Sequence, residues 1–303
     1  MSILPFRRQS RLSSAARAML DGYSIEVMPR TAAKVEDFGA LLPPGTRVYI
    51  AHIEGTPIED MVATAKRLRD EGFEPMPHFP ARIIPDRATF DDWLTRYRAE
   101  ADVREALVLA GSPRSPLGDF HSAMQLLESG LFDVHGLKRL HVAGHPEGNK
   151  DIDPDGSTKL VDEAARWKAD FARRTDADLA MVTQFAFDAK PVLAWARSMH
   201  AAGVDLPIHV GVAGPTKLNT LIKFAIACGV GPSLSVLKKR ALDLTKLAVP
   251  FEPTEVLNDL GDGCGKGEGG LIAGIHLFPL GGIKASVAYA NTALDEHSLR
   301  AQG

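Results

Sequence analysis

The sequence predicts an α/β fold, a single-domain (β/α)8 TIM barrel. Three observations carry that expectation. Eight short apolar runs recur along the chain, helix-like segments separate them, and 303 residues suit one barrel with a short extension. Most runs are continuous rather than alternating, as in strands covered on both faces. A doubly wound open sheet is the alternative, because it uses the same alternation of elements.

The chain starts with a stretch rich in Arg7, Arg8, Ser10, Arg11, Ser13, Ser14 and Arg17. It lacks an apolar segment, so no secretory signal is read. Its composition faintly resembles a transit peptide; the simpler reading is an N-terminal helical extension over residues 1–20, with residues 21–303 forming the barrel. The expected strands are Tyr23–Met28, Arg47–His52, Glu74–His78, Ala106–Ala110, Leu140–Ala143, Leu179–Gln184, Pro207–Val212 and Ile272–Phe278. Between them, Ile58–Glu71 places Met61, Val62, Ala65 and Leu68 on one helical face. Phe90–Ala101, Phe120–Ser129, Thr158–Arg174, Ala189–Ala202 and Thr216–Cys228 have similar spacing. Glu71-Gly72 and Cys228-Gly229 suit left-handed helix caps.

The interval from Val212 to Ile272 is too long for one crossover. Further helices are expected near Gly231–Leu247 and Pro253–Leu260. The following Gly261–Gly270 contains G-x-G-x-x-G from Gly265, but no strand precedes it and no helix follows. It reads as a mobile loop rather than a phosphate cradle.

Composition narrows the function. Hydrophobic residues make up 45% and charged residues 24%, which excludes a mainly disordered chain. A net charge of −3 gives no basic field for nucleic acid. No apolar run approaches the ~18 residues that would span a membrane. Two cysteines, Cys228 and Cys264, make no disulfide framework, so a reducing cytoplasm is expected.

Barrel enzymes build their sites at the C-terminal strand ends. Those ends carry Glu26, His52, His78, Gly111-Ser112, His145 with Glu147, Gln184, and His276 with Phe278. Glu26 lies inside an apolar run, where a carboxylate is costly unless paired or protonated. It is either a functional acid or a carboxylate tied to a barrel arginine or to backbone amides. His52, His78, His145 and Glu147 are ligand types for zinc or iron, yet no H-x-H or H-E-x-x-H spacing occurs; no metal is expected. Gln184 and Asp188 flank Phe185 and Phe187. The amide suits the edge of a flat heteroaromatic ligand, while the two rings also fit ordinary core packing.

Together these motifs resemble the methylenetetrahydrofolate reductase family, flavin-dependent folate enzymes on a (β/α)8 barrel. Ser24-Ile-Glu26-Val-Met-Pro29-Arg30-Thr31 is similar to the family's S-F-E-F-F-P-P-R-T. Val182-Thr-Gln184-Phe-Ala-Phe-Asp188 is similar to I-T-Q-F-F-F-D. Pro77-His78 resembles its P-H, His145-Pro146-Glu147 its Y-P-E, and Ile275-His276-Leu277-Phe278 its F-H-F-Y. The matches run in order from residue 24 to residue 280.

The resemblance implies interconversion of 5,10-methylenetetrahydrofolate and 5-methyltetrahydrofolate by hydride transfer through FAD, with NADH or NADPH as hydride partner. Glu26 would be the general acid. The cofactor would lie near Ala51, His52, His78, Ala110, Gly111, Ser112, Ala143, His145, Glu147 and Lys168. The folate would meet Gln184, Phe185, Leu218 and Phe278. Arg82, Arg114 and Lys217 are rim cations that would either meet its glutamate tail or stay solvated.

Departures accompany the likeness. Leu109-Ala110-Gly111-Ser112 replaces the family's L-R-G-D, Ala51 replaces a threonine, and His145 a tyrosine. Gly281 and Gly282 stand where the family has asparagine and arginine, and Asp170 falls on a basic position. Two alternatives therefore remain open: flavin-independent hydride transfer, and a non-catalytic folate- or pterin-binding barrel.

Overall fold

The computed structural model describes residues 11–227 and 250–295. The chain enters through α1 (Ser14–Leu20) and then alternates. It forms β1 (Ser24–Val27), α2 (Pro29–Ala32), β2 (Arg47–Ile50), α3 (Ile58–Asp70), β3 (Glu74–Pro80) and α4 (Arg87–Ala101). Next come β4 (Glu105–Leu109), α5 (Ala123–Glu128), α6 (Leu131–Val134), β5 (Arg139–Gly144), α7 (Lys159–Ala172), β6 (Asp178–Ala186) and α8 (Ala189–Ala201). The last elements are β7 (Ile208–Ala213), α9 (Leu218–Ala227), α10 (Thr254–Gly265), β8 (Ile272–Phe278) and α11 (Ile283–Asp295). The strands pair in parallel in chain order, and β8 returns to β1 with Ser24 opposite His276. This closed barrel excludes the open sheet. Among the described residues, no helix is long and apolar enough to cross a membrane.

Helix α3 shows how local sequence builds the outer ring. Its buried face carries Met61, Val62, Ala65 and Leu68. Glu59 and Asp60 lie in its first turn and Arg67 and Arg69 in its last, which suits the helix dipole. Gly72 then turns the chain at φ +89°, a conformation that a side chain would strain.

Alternate strand residues divide between two environments. Ile25, Val48, Phe79, Val108, Val142, Val210 and Leu277 join the large cluster between strands and helices. Tyr49, Met76, Leu107 and Val182 form a separate cluster within the barrel. Much of the inner cover is polar. At the N-terminal end, Glu105 accepts from Arg47 Nη2 at 3.0 Å and from Arg139 Nη1 at 2.8 Å. Higher up, the Tyr49 hydroxyl bonds His141 Nδ1, and Ser24 Oγ lies 2.9 Å from His276 Nδ1.

Several expected boundaries shift. β3 continues through Pro80 and β6 through Ala186, beyond His78 and Gln184. The expected helix Gly231–Leu247, Cys228 and the cap at Gly229 lie outside the described residues. The expected glycine-rich loop is corrected more deeply: α10 runs through Gly265, so half of that segment is helix. Its glycines allow close packing. A Cβ on Gly261 would stand 2.6 Å from the Ala16 backbone nitrogen in α1, and one on Gly263 would stand 2.4 Å from a Leu193 methyl in α8. These glycines are fixed by neighbouring helices rather than left free to cradle phosphate.

Candidate functional site

Three groups of candidate residues line the C-terminal half of the barrel. The first joins β1, β2 and β3. Glu26 Oε2 lies 3.4 Å from His78 Nε2, and the Glu26 side chain retains 22% of its exposure. Burial raises its pKa from 4.5 to about 7. Burial has the opposite effect on His78, lowering its pKa to about 3, with His52 adding to the shift. At neutral pH the pair is therefore a partly protonated carboxyl beside a neutral imidazole, not a formed ion pair. No arginine pairs with Glu26 among the described residues, so the tied-carboxylate alternative lacks its partner.

His52 completes this group. Its Nε2 faces the Thr56 carbonyl at 3.1 Å, and its ring lies 4.9 Å from Trp93. Its Nδ1 is buried without a hydrogen-bond partner, as is His78 Nε2. Ala51, directly before it, hydrogen-bonds through its amide to the Val27 carbonyl at 2.8 Å.

The second group lies at the end of β5. Lys168 projects from α7, and its Nζ donates to the Ala143 carbonyl at 2.8 Å. Burial lowers its pKa from 10.5 to about 8. His145 is half-buried. Its pKa is lowered to about 4, by desolvation first and by Lys168 second. Glu147 is half-buried in the same turn.

The third group lies on β6 to β8. Phe185, Leu218 and Phe278 belong to one apolar cluster with Phe187 and Phe251. Phe185 packs edge-on to Phe278 with centroids 5.4 Å apart. Gln184 is exposed, at a register break between Val182 and Phe185. There Thr183 Oγ1 donates to the Gln184 carbonyl at 2.7 Å and accepts from the Gly211 amide at 2.9 Å. This irregularity interrupts the inward–outward alternation and leaves Gln184 exposed.

The end of β4 is built differently from the family pattern. Ala110 and Gly111 are half-buried and Ser112 is exposed. Gly111 has φ +90°, and a Cβ there would stand 2.9 Å from Pro80 Cβ. The following loop is fastened to the end of β3: the Arg82 amide donates to the Ala110 carbonyl, and the Leu117 amide donates to the Arg82 carbonyl. The Arg82 guanidinium bonds the Pro113 and His121 carbonyls at 3.1 Å each. Arg82 thus braces this loop instead of standing solvated at the rim. Arg114 and Lys217 are exposed.

A dinucleotide such as FAD needs donors and countercharge for its phosphates. Lys168 meets that need: it is buried and cationic, and it has one acceptor for three N–H groups. An anion beside it would offset the desolvation that lowers its pKa. The unpartnered His52 Nδ1 is a further polar atom available to a ligand. These residues fit the cofactor implied by the resemblance. Among the described residues, no group of three or more His, Cys, Asp or Glu is arranged to hold a metal ion.

The sequence reading missed the interior residues Arg47, Tyr49, Glu105, Arg139, His141 and His209. Their signal was the period-two placement of Arg47 with Tyr49 and of Arg139 with His141, hidden by the apolar residues between them.

No family model matches the chain. The fold aligns with an uncharacterized protein from Clostridium thermocellum, described as binding two copies of 5-methyl-5,6,7,8-tetrahydrofolic acid. The TM-score is 0.54 at 12% sequence identity, covering 93% of this chain and 98% of the other. This likeness establishes a shared fold.

Proposed function

We propose that the barrel is an oxidoreductase of one-carbon folate metabolism, interconverting 5,10-methylenetetrahydrofolate and 5-methyltetrahydrofolate. One observation carries the reading: Glu26 is a half-buried carboxyl with a pKa raised to about 7, beside a neutral imidazole at the C-terminal end of the barrel. A simple binding pocket does not need such an acid. The shared fold with a methyltetrahydrofolate-binding protein supports the ligand class.

In this mechanism Glu26 holds a proton near neutrality and donates it to the methylene-bridged folate. A carbon–nitrogen bond of the bridge then opens and leaves an N5 iminium, which accepts a hydride to become the N5 methyl group. His78, held neutral, places no positive charge beside Glu26 and so does not draw out its proton. Gln184 offers a donor and an acceptor to the pterin edge. The cluster of Phe185, Leu218 and Phe278 supplies an apolar wall that keeps water from the reacting carbon. Lys168 and His52 would hold the dinucleotide. FAD, when bound, supplies the hydride chemistry.

The β4 end, Leu109-Ala110-Gly111-Ser112, favours a second reading in which hydride passes directly from NADH or NADPH to the folate. Absorbance of the purified protein through the flavin bands, with and without added FAD, separates the two. Calorimetry with 5-methyltetrahydrofolate tests what they share. Saturable heat supports the folate reading, and no heat with any reduced folate overturns it.

A further inference from the structure

We propose that the N-terminal mouth of the barrel is a second ligand site, taking a small organic carboxylate between the Arg139 guanidinium and the His209 imidazole. This inference is independent of the folate reading, since it concerns the opposite end of the barrel.

A cavity of about 580 Å³ opens there, lined by residues including Arg47, Arg139, His141, Asp178, Asp205 and His209. Sites for small molecules commonly span about 300–1,000 Å³. Two guanidiniums share one carboxylate at its floor. Arg47 binds Glu105 through Nε and Nη2. Arg139 donates only one N–H, at 2.8 Å, and its remaining N–H groups have no partner among the described residues. Its side chain is 38% exposed, so it can turn a planar donor edge to a ligand.

The imidazoles complete the recognition. His141 is fully buried, and its Nε2 lacks a hydrogen-bond partner while its Nδ1 is bonded to the Tyr49 hydroxyl. His209 stacks on it at 4.7 Å and makes no hydrogen bond among the described residues. Gly274 gives the His209 ring room, because a Cβ there would stand 3.3 Å from Nδ1. The barrel interior thus holds unused polar groups around a cavity, a condition that a polar ligand relieves.

The charges select the ligand. Burial lowers both imidazole pKa values, and Arg47 and Arg139 lower them further; Glu105 opposes the shift at His209, while His209 and His276 add to it at His141. The field around the stacked rings therefore favours one negative charge. Asp178 and Asp205 are exposed, and Asp205 already faces His200 at 2.8 Å. These carboxylates disfavour highly charged anions. A single carboxylate accepts from Arg139 and stabilises protonated His209 in the same event, so binding takes up protons.

The test uses the full chain with 13C-labelled histidine, titrated with acetate at pH 5 and followed by NMR. His209→Gln assigns the resonance. We expect saturable shifts of His209 and His141, with the His209 pKa rising from about 4 by about one unit or more. Arg139→Gln should weaken binding at least about tenfold, the loss of a charge-assisted hydrogen bond. Arg139→Lys, which keeps the charge but not the planar fork, should weaken it less. Equal shifts with neutral acetamide would overturn the inference, as would non-saturating shifts or unchanged affinity in Arg139→Gln. Tighter binding of inorganic phosphate than of acetate would overturn the carboxylate assignment.

Discussion

Replacing Glu26 with glutamine tests the acid through stability as well as turnover. The wild-type carboxyl is raised from 4.5 to about 7, so folding favours its protonated form. Its contribution is complete below pH 4.5 and is lost as pH rises through 7. At roughly 1.4 kcal/mol per pH unit, the upper bound is about 3 kcal/mol. The open face of the side chain, 22% exposed, admits screening water and reduces this to about 1–2 kcal/mol. Glutamine cannot ionise. Urea unfolding should therefore find Glu26→Gln more stable than wild type by that amount at pH 8, and level with it at pH 5. In the reductive direction, turnover should fall by about 10²–10⁴ with folate affinity nearly unchanged, and wild-type kcat should decline above pH 7. A stability difference independent of pH would refute the raised pKa; equal turnover in the variant would refute the catalytic role.

Other predictions follow from neighbouring features. His78, His145 and His209 are held neutral, with pKa values of about 3, 4 and 4. Their contributions are intact above pH 6.5 and are lost as pH falls toward 4, so unfolding should steepen across that window in a circular-dichroism titration. Lys168→Met should abolish retention of a dinucleotide, measured by equilibrium dialysis, while leaving the free barrel as stable as wild type or more so, because it removes a desolvated charge. Gly261→Ala should cost about 1–3 kcal/mol in urea unfolding, because its methyl group meets the α1 backbone. Wild-type stability in that variant would refute the tight α1–α10 seat.

The eight strands were legible because their outward residues are apolar and compact. Ile25 and Val27, or Val48 and Ile50, announce strands whichever way the intervening residues point. The role of those intervening residues was less legible. His141 reads as a polar interruption until β2 brings Tyr49 to it from 92 positions away. Glu26 could be singled out, since a carboxylate between isoleucine and valine is conspicuous. Its lack of an arginine partner could not, because that depends on three-dimensional placement. The glycine-rich segment misled for a related reason. Glycine permits both free loops and close helix contacts, and only the approach of Ala16 and Leu193 distinguishes them.

The seat of α1 has a consequence for biosynthesis. Asn258 accepts from the Ser13 amide across a separation of 245 residues, and its own amide donates to the Arg11 carbonyl. Helix α1 therefore cannot dock until α10, which follows it far along the chain, has been made. During that delay Leu20, fully covered in the finished molecule, remains a sticky handle open to chaperones or to another nascent copy.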